Sequence, residues 1–126
     1  MVQTVTDNHS VVSDVIAWEL EGNHRPSREN AVIAASQDLS NGTVISYNGS
    51  GQVQAFGGVT DEVAAGIYIG DAVTTGAGQT AKGVVIARDA RFVDGKLVYK
   101  SGLSTAKKTE ALASLKALHI TPVRSA

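Results

Sequence analysis

The chain has 126 residues, a formal net charge of -1, 43% hydrophobic and 18% charged residues. That length suits a single domain with one modest core. The near-neutral balance argues against a nucleic-acid binder that relies on bulk charge, and the absence of cysteine excludes disulfides, thiolate metal sites and cysteine nucleophiles.

Residues 1–26 differ from the rest. Met1–Ser13 scatters valines, among them Val5, Val11 and Val12, through Thr, Asn, Asp, Ser and Gln, without a dense apolar face. Val15, Ile16, Trp18 and Leu20 then form a short apolar cluster with Glu19 and Glu21 interleaved. In a strand, Ile16, Trp18 and Leu20 share one face. The run Gly22-Asn23-His24-Arg25-Pro26 reads as a turn or linker, because Pro biases the preceding residue toward extended backbone. The expectation is an extended arm over 1–26, too short and too polar to fold alone, ahead of a domain over 27–126.

From Ser27 the pattern becomes regular. Strands are expected at Ala31–Ala35, Thr43–Tyr47, Gln52–Phe56, Ala64–Ile69 and Val84–Arg88, from their β-branched content and alternation. Asp38–Gly42 and Asn48-Gly49-Ser50-Gly51 read as turns, the latter a strong hairpin signal. Asp94-Gly95 is a second hairpin signal, predicting a strand over Lys96–Lys100. Ser104–Leu118 is the one convincing helix. Ser104 suits its N-cap, and Ala111, Leu112, Leu115 and Leu118 fall on one stripe at helical spacing. Ile120-Thr121-Pro122-Val123 closes the chain as an edge segment, since Pro cannot complete a ladder. The fold class is therefore α+β: a small β-rich domain of short strands and hairpins with one C-terminal helix, behind an extended N-terminal arm.

Charge is unevenly placed, with 2 basic and 8 acidic residues in 1–63 against 9 and 4 in 64–126. Two halves that fold together and neutralise each other account for this; an acidic arm on a basic face is the alternative.

Chemical motifs mostly lack their required context. Gly76-Ala77-Gly78-Gln79-Thr80-Ala81 fits a dinucleotide fingerprint, but a strand rather than a helix is expected after it. Ser104-Thr105-Ala106-Lys107 fits a serine–lysine acylating pattern, without the partner motifs. His9, His24 and His119 are far apart and pair with no carboxylate at ligand spacing, so no metal is expected. Asn41-Gly42-Thr43 and Asn48-Gly49-Ser50 match a glycosylation acceptor. With no charged, apolar start resembling a secretion signal, both read as turns. No apolar run approaches the roughly 20 residues of a membrane span. The expected compartment is a cytoplasm, or a particle assembled there. What remains is an arm whose β-prone residues can add to a partner's sheet edge, with Trp18 as its anchor.

The segment from Gly42 to Val123 resembles the phage lambda-type head decoration proteins, and Ser27-Arg28-Glu29-Asn30 resembles the start of their ordered core. The resemblance rests on Ser27-Arg28-Glu29, on Gln52–Phe56, on Asp61-Glu62-Val63-Ala64-Ala65-Gly66-Ile67 as D-x-x-A-x-G-I, on Val84–Ala90, and on a closing helix and strand at Ala106–Leu118 and Ile120–Val123. His119-Ile120 stands where relatives often have Gly-Ile. The resemblance implies a structural virion protein without cofactor, a homotrimer on the outer capsid surface at three-fold and quasi-three-fold positions. It implies binding to the major capsid protein after the shell expands, and stabilisation against internal DNA pressure. On that reading the capsid-binding arm holds Val5, Val11, Val12, Val15, Ile16, Trp18 and Leu20. Arg28 and Glu29 stand at the arm/core junction, and Asp61, Glu62 and Ile67 at the trimer contact. The partners are the major capsid protein and further copies of the chain, with no nucleic acid and no membrane. Two alternatives stay open: a small-molecule-binding β domain with a deep pocket, and an acylating enzyme built on Ser104 and Lys107.

Overall fold

The computed structural model describes residues 15–19, 27–59, 62–93 and 95–123. In chain order the described elements are β1 (Ile16–Glu19), β2 (Arg28–Ile33), β3 (Asp38–Leu39), β4 (Val44–Tyr47), β5 (Val53–Ala55), β6 (Gly66–Ile69), β7 (Val73–Thr74), β8 (Ala81–Ile86), β9 (Ala90–Val93), α1 (Thr105–Ala117) and β10 (Ile120–Val123). The chain is β-rich with one C-terminal helix, as its pattern of short apolar runs and Gly turns predicts.

Strands β2, β5, β4, β6 and β8 close, in that order, into a barrel. Closure is uneven. β2 runs antiparallel to β8 through six register pairs, from Arg28↔Ile86 to Ile33↔Ala81, but meets β5 only at Ile33↔Val53. Beside the barrel lies a three-stranded sheet, β1-β9-β10, and a two-stranded ribbon pairs β3 with β7. In that sheet β1 is antiparallel and β10 parallel to β9. The helix α1 therefore sits inside the crossover that a parallel pair requires.

The period-2 alternation of strands divides neighbouring residues between two cores. Ile33, Leu39, Ile45, Val53, Tyr68 and Val85 fill the barrel. On the outer wall, Val44, Ile67, Ile69 and Ile86 pack against Val15, Ile16, Phe92, Ala111, Leu115 and Ile120 from the sheet and helix. Both faces of β6 are thus buried, which is why Gly-Ile-Tyr-Ile reads as a continuous apolar run. The D-x-x-A-x-G-I spacing has the same origin. Ala64 and Ile67 are buried in the outer core. Gly66 lies where a Cβ would come within 2.2 Å of the Ile86 carbonyl oxygen.

Ser104 caps α1, its hydroxyl accepting from the Lys107 N–H at 3.3 Å. Ala111 and Leu115, one turn apart, are buried, and Leu118 packs against the same core. Leu112 does not share the stripe and is 40% exposed, because it is displaced by about 100° around the helix from Ala111. The helix stops at His119, which adopts φ 63. Its N–H donates back to the Lys116 carbonyl at 2.9 Å, in the left-handed position that usually favours Gly.

The strand expected at Lys96–Lys100 is not one. Val98 makes a single parallel bridge to Thr43, exchanging bonds with Gly42 and Val44 at 2.9 Å each. It pairs there rather than in a hairpin with β9, because β1 and β10 already occupy both sides of β9. The Asp38–Gly42 turn is also shorter than expected, since Asp38 and Leu39 pair with Thr74 and Val73.

Candidate functional site

The apolar cluster near the N-terminus divides between core and surface. Ile16 pairs with Phe92, but Trp18 pairs with Arg91, and the register slips between them. The extra residue is a β-bulge, which reverses the face that the following side chain takes. Val15 and Ile16 are consequently buried in the domain's own core, whereas Trp18 is 51% exposed. This corrects the expectation that Ile16 and Trp18 share a face. It also removes Val15 and Ile16 from any surface a partner can touch: Val15 and β1 are an integral part of the domain. Val5, Val11, Val12 and Leu20 lie outside the described residues.

The sheet brings Trp18, Arg91 and Thr121 into one cross-strand row, through Trp18↔Arg91 and Arg91↔Thr121. With Asp89, Ala90 and His119 they line a shallow groove of about 480 Å³. The alternation of β9, with Ala90 and Phe92 buried and Arg91 exposed, turns Arg91 outward beside the indole. Only β9 of this row is contiguous with its own pattern. The contributions of Arg91, Thr121 and His119 depend on strand pairing at long range and leave no local sequence signal.

The two edges of this sheet differ. Ala90 N–H donates to the His119 carbonyl at 3.2 Å. In a parallel ladder that turns the peptide groups of Ile120 and Pro122 outward, and Pro122 has no N–H to offer there. β1 is the opposite edge and contains no proline.

The Ser27-Arg28-Glu29 run joins β1 to the barrel. Ser27, fully buried, donates its hydroxyl to the Asp89 carbonyl at 2.7 Å. Arg28 reaches from β2 to Glu19 on β1 with a two-pronged contact, Nε to Oε1 at 2.8 Å and Nη2 to Oε2 at 2.7 Å. The hydrogen bond to Glu19 raises the guanidinium pKa above its usual value; burial opposes this, and the Glu19 charge adds to it. Glu29 pairs with Arg88, bridging the acidic and basic halves of the sequence.

Of the residues expected at a trimer contact, Asp61 lies outside the described residues. Ile67 is 0% exposed between barrel and helix, so it cannot touch another chain; an apolar residue in a two-face-buried strand is core. Glu62 organises its own loop. Its carboxylate accepts from the Ser46 hydroxyl, from the Gly57 N–H at 3.0 and 3.1 Å, from the Val59 N–H at 3.1 Å and from the Gln54 amide at 3.4 Å. Burial alone would raise its pKa, but these donors outweigh it and hold the carboxyl below its usual value. Val59 and Val63, flanking it, are exposed.

Ser104 Oγ is engaged as the helix cap, and Lys107 Nζ pairs with Glu110 at 3.1 Å. The Gly76–Ala81 segment is a turn entering β8, with no helix behind it. Apolar side chains fill the barrel interior, while the grooves are open ones on the surface. One of them, about 1000 Å³, runs over β2, β8 and the β4–β5 hairpin. Among the described residues there is no cluster of three or more metal-ligating side chains, and no helix is long and apolar enough to cross a membrane.

These features define a small β-barrel protein with a flanking sheet that, among the described residues, has β1 at one edge and an exposed Trp on it. The model of the bacteriophage lambda head decoration protein D family matches residues 5–120, and the chain belongs to that family. The family is one of structural phage proteins, and membership assigns the chain to decoration of the phage capsid. Comparison with curated proteins gives no match.

Proposed function

We propose that the chain binds the outside of the expanded phage head as a trimer, at three-fold and quasi-three-fold positions, and holds the shell against the outward pressure of packaged DNA. The observation that carries this reading is the β1 edge, with Trp18 exposed on it and 14 residues of chain ahead of Val15. Residues 1–14 are the arm that adds to strands of the major capsid protein, and residues 20–26 are the linker into the barrel. Backbone hydrogen bonds supply affinity, while the pockets for alternate side chains supply selectivity. Trp18 and Arg91 form the platform against which the added strand lies. Three arms on one trimer raise the effective concentration of each, so weak single contacts hold strongly together. Self-association falls to the loop that Glu62 braces, through Val59 and Val63.

Image reconstruction of decorated heads tests the reading. Density at three-fold and quasi-three-fold positions, with an extended strand continuing from β1 into the shell, is the expected result. Density seated at other positions, or without a strand entering the shell, contradicts it.

A further inference from the structure

The sequence holds two Asn-Gly-Ser/Thr segments, Asn41-Gly42-Thr43 and Asn48-Gly49-Ser50, and neither has a part in capsid decoration as described above. In an Asn-Gly pair the glycine nitrogen can attack the side-chain amide carbon, since no Cβ on the second residue shields it. Whether it does so depends on whether that nitrogen is free. The fold treats the two segments in opposite ways.

At the first, Gly42 N–H is committed to the Tyr68 carbonyl at 2.8 Å. Asn41 is 5% exposed, and its Oδ1 accepts from Gly70 N–H at 3.1 Å. Attack there requires breaking both bonds inside the barrel wall. At the second, Gly49 is exposed at the tip of the β4–β5 hairpin, and its N–H donates to nothing among the described residues. The Asn48 Oδ1 accepts from the N–H groups of Ser50 at 2.9 Å and Gln52 at 3.0 Å. These donors point at the oxygen on which negative charge develops when Cγ is attacked.

We infer that Asn48 is a site of spontaneous deamidation and that Asn41 is protected by the fold. The Gly49 nitrogen, after losing its proton to hydroxide, forms a bond to Cγ of Asn48. The tetrahedral oxyanion rests on Oδ1, facing the Ser50 and Gln52 N–H groups. It collapses by breaking the Cγ–Nδ2 bond, and ammonia leaves with a proton from water. The five-membered imide then takes up one water at either carbonyl, giving aspartate or isoaspartate at position 48. Water and hydroxide are the only co-reactants. The product carries one more negative charge beside Tyr47. The isoaspartate form also lengthens the backbone by a methylene, and so breaks the Asn48 N–H bond to the Gln52 carbonyl, 2.8 Å in the hairpin.

The test is incubation of the full chain in water enriched in heavy oxygen at mildly alkaline pH. Cleavage after Tyr47 then puts Asn41 and Asn48 on separate peptides for mass analysis. The expected result is one solvent oxygen gained at position 48, none at position 41 while the chain is folded, and gain at both in denaturant. Equal rates in the folded chain, or earlier gain at position 41, overturn the inference. Gly49→Ala separates the mechanism from general exposure. A Cβ there meets nothing within 4 Å, and Gly49 is not among the positive-φ glycines, so the hairpin tolerates it. The variant is expected to slow labelling at position 48 at least about tenfold, since the approach to Cγ becomes hindered. An unchanged rate with the fold intact overturns the assignment to the Gly49 nitrogen.

Discussion

Arg28 and Glu19, nine residues apart, form a two-pronged ion pair that fastens the first strand of the sheet to the first strand of the barrel. Their side chains are 29% and 11% exposed, enough burial for the pair to matter more than a surface bridge. Without it, β1 is held to the rest of the fold mainly by β9 and by the burial of Val15 and Ile16. Glu19→Gln is expected to cost about 1.5–3 kcal/mol, the range for hydrogen bonds to charged groups. It should also speed amide exchange in β1 relative to the barrel. Arg28→Lys does not rescue the loss, because an ammonium cannot make the fork. Urea unfolding and hydrogen exchange on the three proteins check this; full stability in Arg28→Lys contradicts it.

Glu62 links stability to pH. Its carboxyl titrates below its ordinary value of 4.5 in the folded chain. The unfolded state therefore binds its proton first as pH falls. The stabilisation is fully present above pH 4.5 and is lost as pH drops through the folded pKa. Glu62→Gln is expected to remove about 1–2 kcal/mol at neutral pH, because the Gly57 and Val59 N–H groups lose a charged acceptor. The gap from the parent should narrow below pH 4.5. Chemical unfolding at a series of pH values measures this; a gap that widens with acid contradicts it.

His119 occupies a left-handed backbone position at the end of α1. That conformation costs a non-Gly residue roughly 1–2 kcal/mol, partly offset by the lower unfolded-state entropy of a residue with a Cβ. His119→Gly is expected to stabilise the chain by about 0.5–1 kcal/mol. His119→Val, β-branched and poorly suited to positive φ, is expected to destabilise it. Opposite shifts in Tm are the signature; a fall with Gly contradicts the account.

Trp18 distinguishes binding from folding. Being half exposed, it contributes less to the core than Ile16 beside it, and Ile16→Ala is expected to cost about 2–5 kcal/mol. Trp18→Ala is expected to leave Tm nearly unchanged yet to weaken attachment to heads more than any single change in residues 1–13. Equal head affinity of variant and parent contradicts that assignment.

Much of this architecture was legible in the sequence because it is local. The Asn48–Gly51 hairpin, the buried run of β6, the β-like run at Val84–Ile86, the Ser104 cap and the edge at Pro122 all follow from short-range chemistry. The features that escaped are those fixed by distant partners. A bulge opposite Arg91 separates Trp18 from Ile16, and nothing in Ile16–Glu19 announces it. Ile67 belongs to a legible buried run, but that it packs under α1 rather than against another copy is fixed by the long-range docking of the helix. Lys96–Lys100 had a hairpin signal but no free strand to pair with. The row of Trp18, Arg91 and Thr121 joins residues from three separated segments, so no motif could mark it.

The central claim is that attachment requires residues 1–14, the strand added to the shell, backed by the Trp18 platform on the body from which they extend. Removing residues 1–26 would also remove Val15 and Ile16 from the core, so the deletion must stop at residue 14. The direct measurement is co-sedimentation with expanded, undecorated heads, comparing the full chain with one lacking residues 1–14, both first shown to be folded by thermal unfolding. The account predicts that the full chain pellets with the heads and the shortened chain stays in the supernatant. Equal pelleting of the two would place attachment on the barrel or sheet instead and contradict the claim.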